Sequence, residues 1–67
     1  MSPAEFHGVV ERVRGEFMEM PGLRLTVPQA ARLWSLDALV CRNVIDTLVQ
    51  LEFLRWTAAG HIARIEP

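Results

Sequence analysis

Three helix-start signals set the main constraint on how this chain can fold. Ser2-Pro3-Ala4-Glu5 combines a capping hydroxyl, a proline and a glutamate in the order that opens a helix, and Thr26-Val27-Pro28-Gln29 is a second capping box. Asp37 is a third N-cap. Pro21-Gly22 ends the first segment, and Ser35-Leu36 separates the second from the third. The sequence therefore predicts three short helices that need tertiary packing to be stable.

The first and third of these helices are each apolar along one face. Positions plotted at 100° steps gather the apolar residues of both helices into arcs of roughly 100–120°. The predicted stripe of the first helix consists of Phe6, Val9, Val10, Val13, Phe17 and Met20. The predicted core face of the third helix, over residues 37–51, consists of Cys41, Val44, Ile45, Leu48 and Leu51.

Two segments rich in β-formers follow the third helix. Phe53–Thr57 and His61–Ile65 flank Ala58-Ala59-Gly60, which suits a three-residue hairpin loop, although adjacent Phe53 and Leu54 leave the in/out register open. Leu23–Leu25 predicts a further short strand that needs a partner. We expect a mainly α fold with a small β-hairpin, in the order helix-strand-helix-helix-strand-strand.

Composition narrows the classes of function. The 67 residues suit one domain, over 1–67, and seven arginines against eight acidic residues give a net charge of -1, so any nucleic-acid contact needs a local basic patch. The single Cys41 excludes an intramolecular disulfide, and it is expected to pack in the core. His7 and His61 lack metal-ligand spacing. We expect a cytoplasmic protein that is not an enzyme, spans no membrane and binds no cofactor or metal.

Other singled-out side chains have plain structural interpretations. Glu11, Glu16 and Glu19 are expected on a solvated helix face, because no cleft is available to make them an acid-base pair. Trp34 and Trp56 are expected to pack in the small core or at its rim.

The order of elements, with Leu25–Leu33, Leu36-Asp37 and Cys41–Leu54, resembles the winged helix-turn-helix of bacterial regulators of the IclR and MarR type. The resemblance covers residues 23–66. It implies a three-helix bundle plus a wing, in which the first short strand pairs with the returning strand of the hairpin. It also implies a recognition helix over 37–51 in the DNA major groove, and a hairpin wing along the DNA backbone. The DNA-facing positions that it implies are Ala38, Leu39, Val40, Arg42, Asn43 and Asp46 on the helix, and Arg55, His61 and Arg64 on the wing.

Side-chain chemistry gives these positions specific roles in binding double-stranded DNA. Arg42 can fork onto guanine and Asn43 onto adenine, while Leu39 or Val40 can touch a thymine methyl group. The phosphate contacts would come from Arg24, Arg32, Arg55 and Arg64. Only about four such contacts are available per chain, so we expect a homodimer, formed through the first helix, to reach useful affinity.

Departures from the family pattern favour a second function. Leu39 and Val40 replace the Ser or Thr common near the start of the recognition helix, and Asp46 on the same face would repel phosphate. Ser35 lies where the family has the glycine of the turn, and the Leu51-Glu52 region replaces the glycine often found after the recognition helix. An apolar outer face suits a protein partner bound through Leu39 and Val40. A protein-interaction or homo-oligomerisation module therefore remains open beside DNA binding.

Overall fold

The computed structural model describes residues 1–66, so residue 67, the end of the predicted single domain, lies outside the described range. The elements follow the predicted order. Three helices dominate, and the strands form one antiparallel sheet in the order β1-β3-β2. Their bounds are α1 Pro3–Glu19, β1 Arg24–Leu25, α2 Val27–Leu33, α3 Ala38–Gln50, β2 Leu54–Trp56 and β3 Ile62–Arg64.

All three predicted N-caps are present. The Thr26 hydroxyl accepts from the Gln29 N–H at 3.3 Å, and the Gln29 side chain accepts from the Thr26 N–H at 2.9 Å, which completes the capping box of α2. Ser2 accepts from the Glu5 N–H, but among the described residues Glu5 does not return the bond. The Asp37 carboxylate accepts from the N–H two residues into α3. Local side-chain chemistry therefore determines where each helix begins.

The C-terminus of α2 forms a Schellman motif, in which two backbone N–H groups beyond the helix turn back to its last carbonyls. The Leu36 N–H donates to the Ala31 carbonyl at 2.9 Å, and the Ser35 N–H donates to the Arg32 carbonyl at 3.3 Å. Ser35 has φ +54°, the left-handed conformation that this motif requires.

α3 ends in the same way. The Phe53 N–H donates to the Leu48 carbonyl and the Glu52 N–H to the Val49 carbonyl, both at 3.0 Å. Glu52 has φ +59°. The helix ends one residue before the predicted boundary, and Leu51 is its C-cap. Leu51 is 67% exposed, so the prediction that it completes the core face is wrong.

The core lies between the helices and the inner face of the sheet. Phe17 and Trp34 meet edge to face, with ring centroids 6.1 Å apart. The predicted core positions of α1 are buried or half-buried except Met20. Met20 is 45% exposed because α1 ends at Glu19, so the prediction that it lies in the core is wrong. The central buried residues are Val10, Val13, Phe17, Ala30, Trp34, Cys41, Val44, Ile45, Leu48, Leu54 and Ile62.

The hairpin turn has the predicted three-residue loop. The Thr57 N–H donates to the His61 carbonyl and the Gly60 N–H to the Thr57 carbonyl, with Gly60 at φ +81°. This geometry is a turn followed by a left-handed residue, the usual form of such loops. It pairs Leu54 with Arg64 and Trp56 with Ile62, and Leu54 points into the core. The structure thereby resolves the register that the sequence left open.

Candidate nucleic-acid interface

The face of α3 opposite the core is open to solvent. Ala38, Leu39, Arg42 and Asn43 are all exposed, and Leu39 is 75% exposed, more than any other large apolar side chain of residues 1–66. Val40 is half-buried and packs against the core. Its expected role as an outward partner of Leu39 is therefore reduced, because 100° per residue turns it toward the interior.

Arg42 has two neighbours. Asp46 is four residues further along the same helix, a spacing that itself indicates an ion pair, whereas Trp56 comes from the hairpin and has no signal in the sequence. Its Nε lies 3.4 Å from Oδ1 of Asp46, one turn further along α3. The centre of its guanidinium lies 5.2 Å from the centroid of the Trp56 ring in β2. The Arg42 and Asp46 side chains remain 57% and 52% exposed. An exposed pair of this kind contributes at most about 1 kcal/mol to stability.

Trp56 is correspondingly a rim residue rather than a core residue. It is 38% exposed, and its ring lies under Arg42 rather than inside the core. Its pairing with Ile62 places it on the same face of the sheet as Leu25, at the edge of the core.

Asn43, the neighbour of Arg42, points to solvent. Its backbone carbonyl accepts from the Thr47 hydroxyl at 2.8 Å. Among the hydrogen bonds of residues 1–66, none uses the Asn43 amide side chain. The amide is therefore available for an external contact.

Arg55 lies on the outer face of the sheet together with Arg24. Both residues pair with Ala63 of the central strand, one from each side. Cross-strand partners share a face, and neighbouring strands lie about 4.8 Å apart, so the two backbone positions are roughly 10 Å apart. The arginines flank an alanine that is only 4% exposed. This pair could not be assigned from sequence because it depends on the register of the strands, which the sequence left open.

Arg64 and His61 lie away from this pair. Arg64 is on the inner side of the sheet with its partner Leu54, and its guanidinium lies 5.5 Å from the centroid of the Phe53 ring. Arg14 of α1 lies 5.3 Å from the same ring. His61 is half-buried where the loop closes, and its backbone N–H donates to the Thr57 hydroxyl at 3.1 Å. The structure therefore divides the predicted wing residues among three places.

Arg32 lies beside an open groove between β1 and α2. The groove has a volume of about 730 Å³. Its lining combines two arginines with apolar side chains and one amide. The lining residues are Arg24, Leu25, Pro28, Gln29, Arg32 and Leu33.

Charge is distributed unevenly along the fold. Residues 20–36 and 53–65 contain four arginines and no acidic residue. α1 by contrast contains four glutamates and two arginines. Within residues 1–66, ion pairs involve only Arg14 and Arg42. A chain with a net charge of -1 thus has a locally basic region formed by β1, α2 and the hairpin.

Cys41 is fully buried on the core face of α3. Burial removes water from the thiol and raises its pKa above the ordinary value of 9.0. No group of three metal-ligating side chains occurs among residues 1–66.

Comparison with protein families, curated proteins and solved structures finds no match for this chain. In the part of the chain that the structure describes, no helix is both long and apolar enough to span a bilayer. The function of the chain is therefore inferred from the geometry and chemistry of its own side chains.

Proposed function

We propose that this chain is a winged-helix domain that binds double-stranded DNA and regulates transcription in the cytoplasm. α3 acts as the recognition helix in the major groove, and the hairpin is the wing. The single observation that carries the proposal is the position of Arg42 and Asn43. They lie side by side on the exposed face of a capped helix, next to an acid-free basic region.

Base and phosphate contacts divide between different elements. A helix fits the major groove, where an arginine reads guanine, an asparagine reads adenine and an apolar side chain touches the thymine methyl group. Arg42, Asn43 and Leu39 offer these three chemistries from one face of α3. Arg24, Arg32 and Arg55 would supply the phosphate contacts, which give affinity without sequence preference.

The number of phosphate contacts predicts weak binding by one chain. Each neutralised phosphate contributes about -0.9 to the slope of log K against log salt, so three arginines give a slope of roughly -3. Two chains on a palindromic site would double that slope. We expect a homodimer on DNA for this reason.

Arg14 offers a matched control for Arg42. Both are exposed helical arginines that pair with an acid on their own helix and approach an aromatic ring within 5.2–5.3 Å. Arg42 lies on α3 and Arg14 on α1. Replacing either by alanine removes the same charge and similar contacts.

The test measures fluorescence anisotropy of a labelled mixed-sequence duplex at about 20–200 mM salt, a range over which the Debye screening length changes severalfold. We expect salt-dependent binding that Arg42→Ala weakens and Arg14→Ala leaves nearly unchanged. In an NMR titration with the same duplex, the changes in amide chemical shift should concentrate on α3 and the hairpin. Absence of duplex binding at the lowest salt, or equal loss in both variants, contradicts the proposal.

One observation favours a second candidate, a module that binds protein or a second copy through α3. Leu39 is 75% exposed on the same face, in the first turn of α3. Burying a leucine is worth about 1.5–3 kcal/mol, enough to stabilise a weak interface. Leu39→Arg should then reduce the assembled mass measured by light scattering. Leu33→Arg on α2, where the leucine is 55% exposed, is the matched control. A mass unchanged by Leu39→Arg contradicts this candidate.

A further inference from the structure

The guanidinium of Arg42 has a neighbour at its Nε edge and an aromatic ring beneath it. Its Nε lies 3.4 Å from Oδ1 of Asp46, and its central carbon lies over the Trp56 ring, 5.2 Å from the ring centroid. Among the described residues, both contacts leave the two terminal nitrogens, Nη1 and Nη2, without a hydrogen-bond partner. The unconstrained edge is therefore the one with the parallel N–H groups.

Those N–H groups match one base better than the others. Guanine presents two acceptors, O6 and N7, to the major groove, whereas adenine presents one acceptor and one donor at the same places. A guanidinium fork can satisfy both guanine acceptors at once. An arginine already oriented by its neighbours loses less side-chain freedom when it binds.

The geometry points to a guanine-reading site in which Arg42 contacts the base, and Asp46 and Trp56 are positioning residues. This inference rests on the proposed DNA binding and adds to it the two residues that orient the guanine-reading arginine. It also accounts for the position of Asp46, whose negative charge makes this face less favourable for binding DNA. The carboxylate repels phosphate but orients the arginine, so it exchanges general affinity for selectivity.

Asp46→Asn separates these two effects. The substitution keeps the shape of the side chain and removes its charge at an exposed position, so the fold should persist. We expect general duplex affinity to stay equal or rise, because a repulsive charge is lost. Guanine preference should fall by about two- to fivefold, the range that an exposed ion pair supports. A loss of selectivity without a loss of affinity is a signature that a merely structural role would not produce.

Further variants test the paired N–H donors of Arg42 and the aromatic ring of Trp56. Arg42→Lys keeps the charge but lacks the planar pair of donors, so guanine preference should fall roughly tenfold while general affinity changes little. Trp56→Leu removes the aromatic face but keeps an apolar side chain, and Trp56→Phe should restore part of the preference. Arg14→Ala is the control on α1. Thermal unfolding of each variant confirms that it is folded.

The experiment selects bound duplexes from a pool with a randomised centre and sequences them for each variant. Support consists of a guanine enriched at one position of each site by the wild-type chain, reduced by Arg42→Lys and Asp46→Asn, and unchanged by Arg14→Ala. Replacing that guanine with 7-deazaguanine, which lacks N7, should weaken wild-type binding more than Arg42→Lys binding. Duplex binding with no guanine preference, or with a preference that Arg42→Lys leaves intact, overturns this inference while DNA binding stands. Enrichment of no sequence and no duplex binding overturns both.

Discussion

Replacing Ser35 and Glu52 by glycine should stabilise the fold. Both residues occupy the left-handed position of a Schellman motif, at φ +54° and +59°. A side chain in that conformation costs about 1–2 kcal/mol relative to glycine, because Cβ approaches the following carbonyl oxygen. Glycine in turn costs about 0.5–1 kcal/mol in backbone entropy on folding. The net gain is therefore about 0.5–1 kcal/mol for each substitution.

The two gains should add because the two motifs terminate different helices and share no hydrogen bond. The double variant should gain about 1–2 kcal/mol. In a domain of this size, 1 kcal/mol raises Tm by about 4–8 °C. Urea unfolding followed by circular dichroism measures the gain directly, and an unchanged m value would show that the surface exposed on unfolding is the same in each variant.

Alanine variants at the same positions isolate the backbone effect. Ser35→Ala and Glu52→Ala remove the same polar groups but keep Cβ, so they should lie within about 0.5 kcal/mol of the wild type. Glu11→Gly places glycine in the middle of α1 and should cost about 1 kcal/mol. If glycine is no more stable than alanine at both Ser35 and Glu52, the strain attributed to these helix ends is refuted.

Two other predictions concern α1 and the buried thiol. Gly8→Ala and Gly15→Ala should each raise the free energy of unfolding by about 0.5–1 kcal/mol. Both glycines are helical, and no atom lies within 4 Å of the Cβ that alanine adds. A lower free energy of unfolding in urea would contradict this prediction. Cys41 should react with a thiol reagent only as fast as the chain unfolds. Burial raises the pKa of the Cys41 thiol in the folded chain, so the thiol of the unfolded chain ionises first as the pH rises. The free energy of unfolding should therefore fall as the pH rises above 9.0, and a constant value in that range would contradict the burial argument.

Helix positions were predictable from sequence because their signals are local. The Thr26 capping box and the Asp37 cap act within three residues, and both form as expected. The errors at Met20 and Leu51 have one cause. Both continue the apolar period of a helix that has already ended, so they lie on the predicted face but outside the helical geometry. Periodicity indicates the direction of a side chain only while the helix continues.

The candidate site was less predictable because it joins distant segments. Arg42 and Asn43 were found from the exposed face of α3, since helical spacing is sufficient to place them. The resemblance predicted that β3 lies between β1 and β2, as it does, but the alignment of Arg24 and Arg55 across Ala63 depends on the register of both pairings. Arg64 was grouped with Arg55 in sequence, yet alternation along the hairpin turns it to the opposite face.

Turn chemistry in the hairpin determines the environment of Arg42. Gly60 at φ +81° allows the three-residue loop, and the loop pairs Trp56 with Ile62. A register shift of one residue would move every side chain of β2 to the other face of the sheet, which would put Arg55 where Trp56 now lies. Arg42 would then meet a like charge instead of an aromatic ring. The orientation of a side chain on α3 thus depends on a glycine in a loop 18 residues further along the chain.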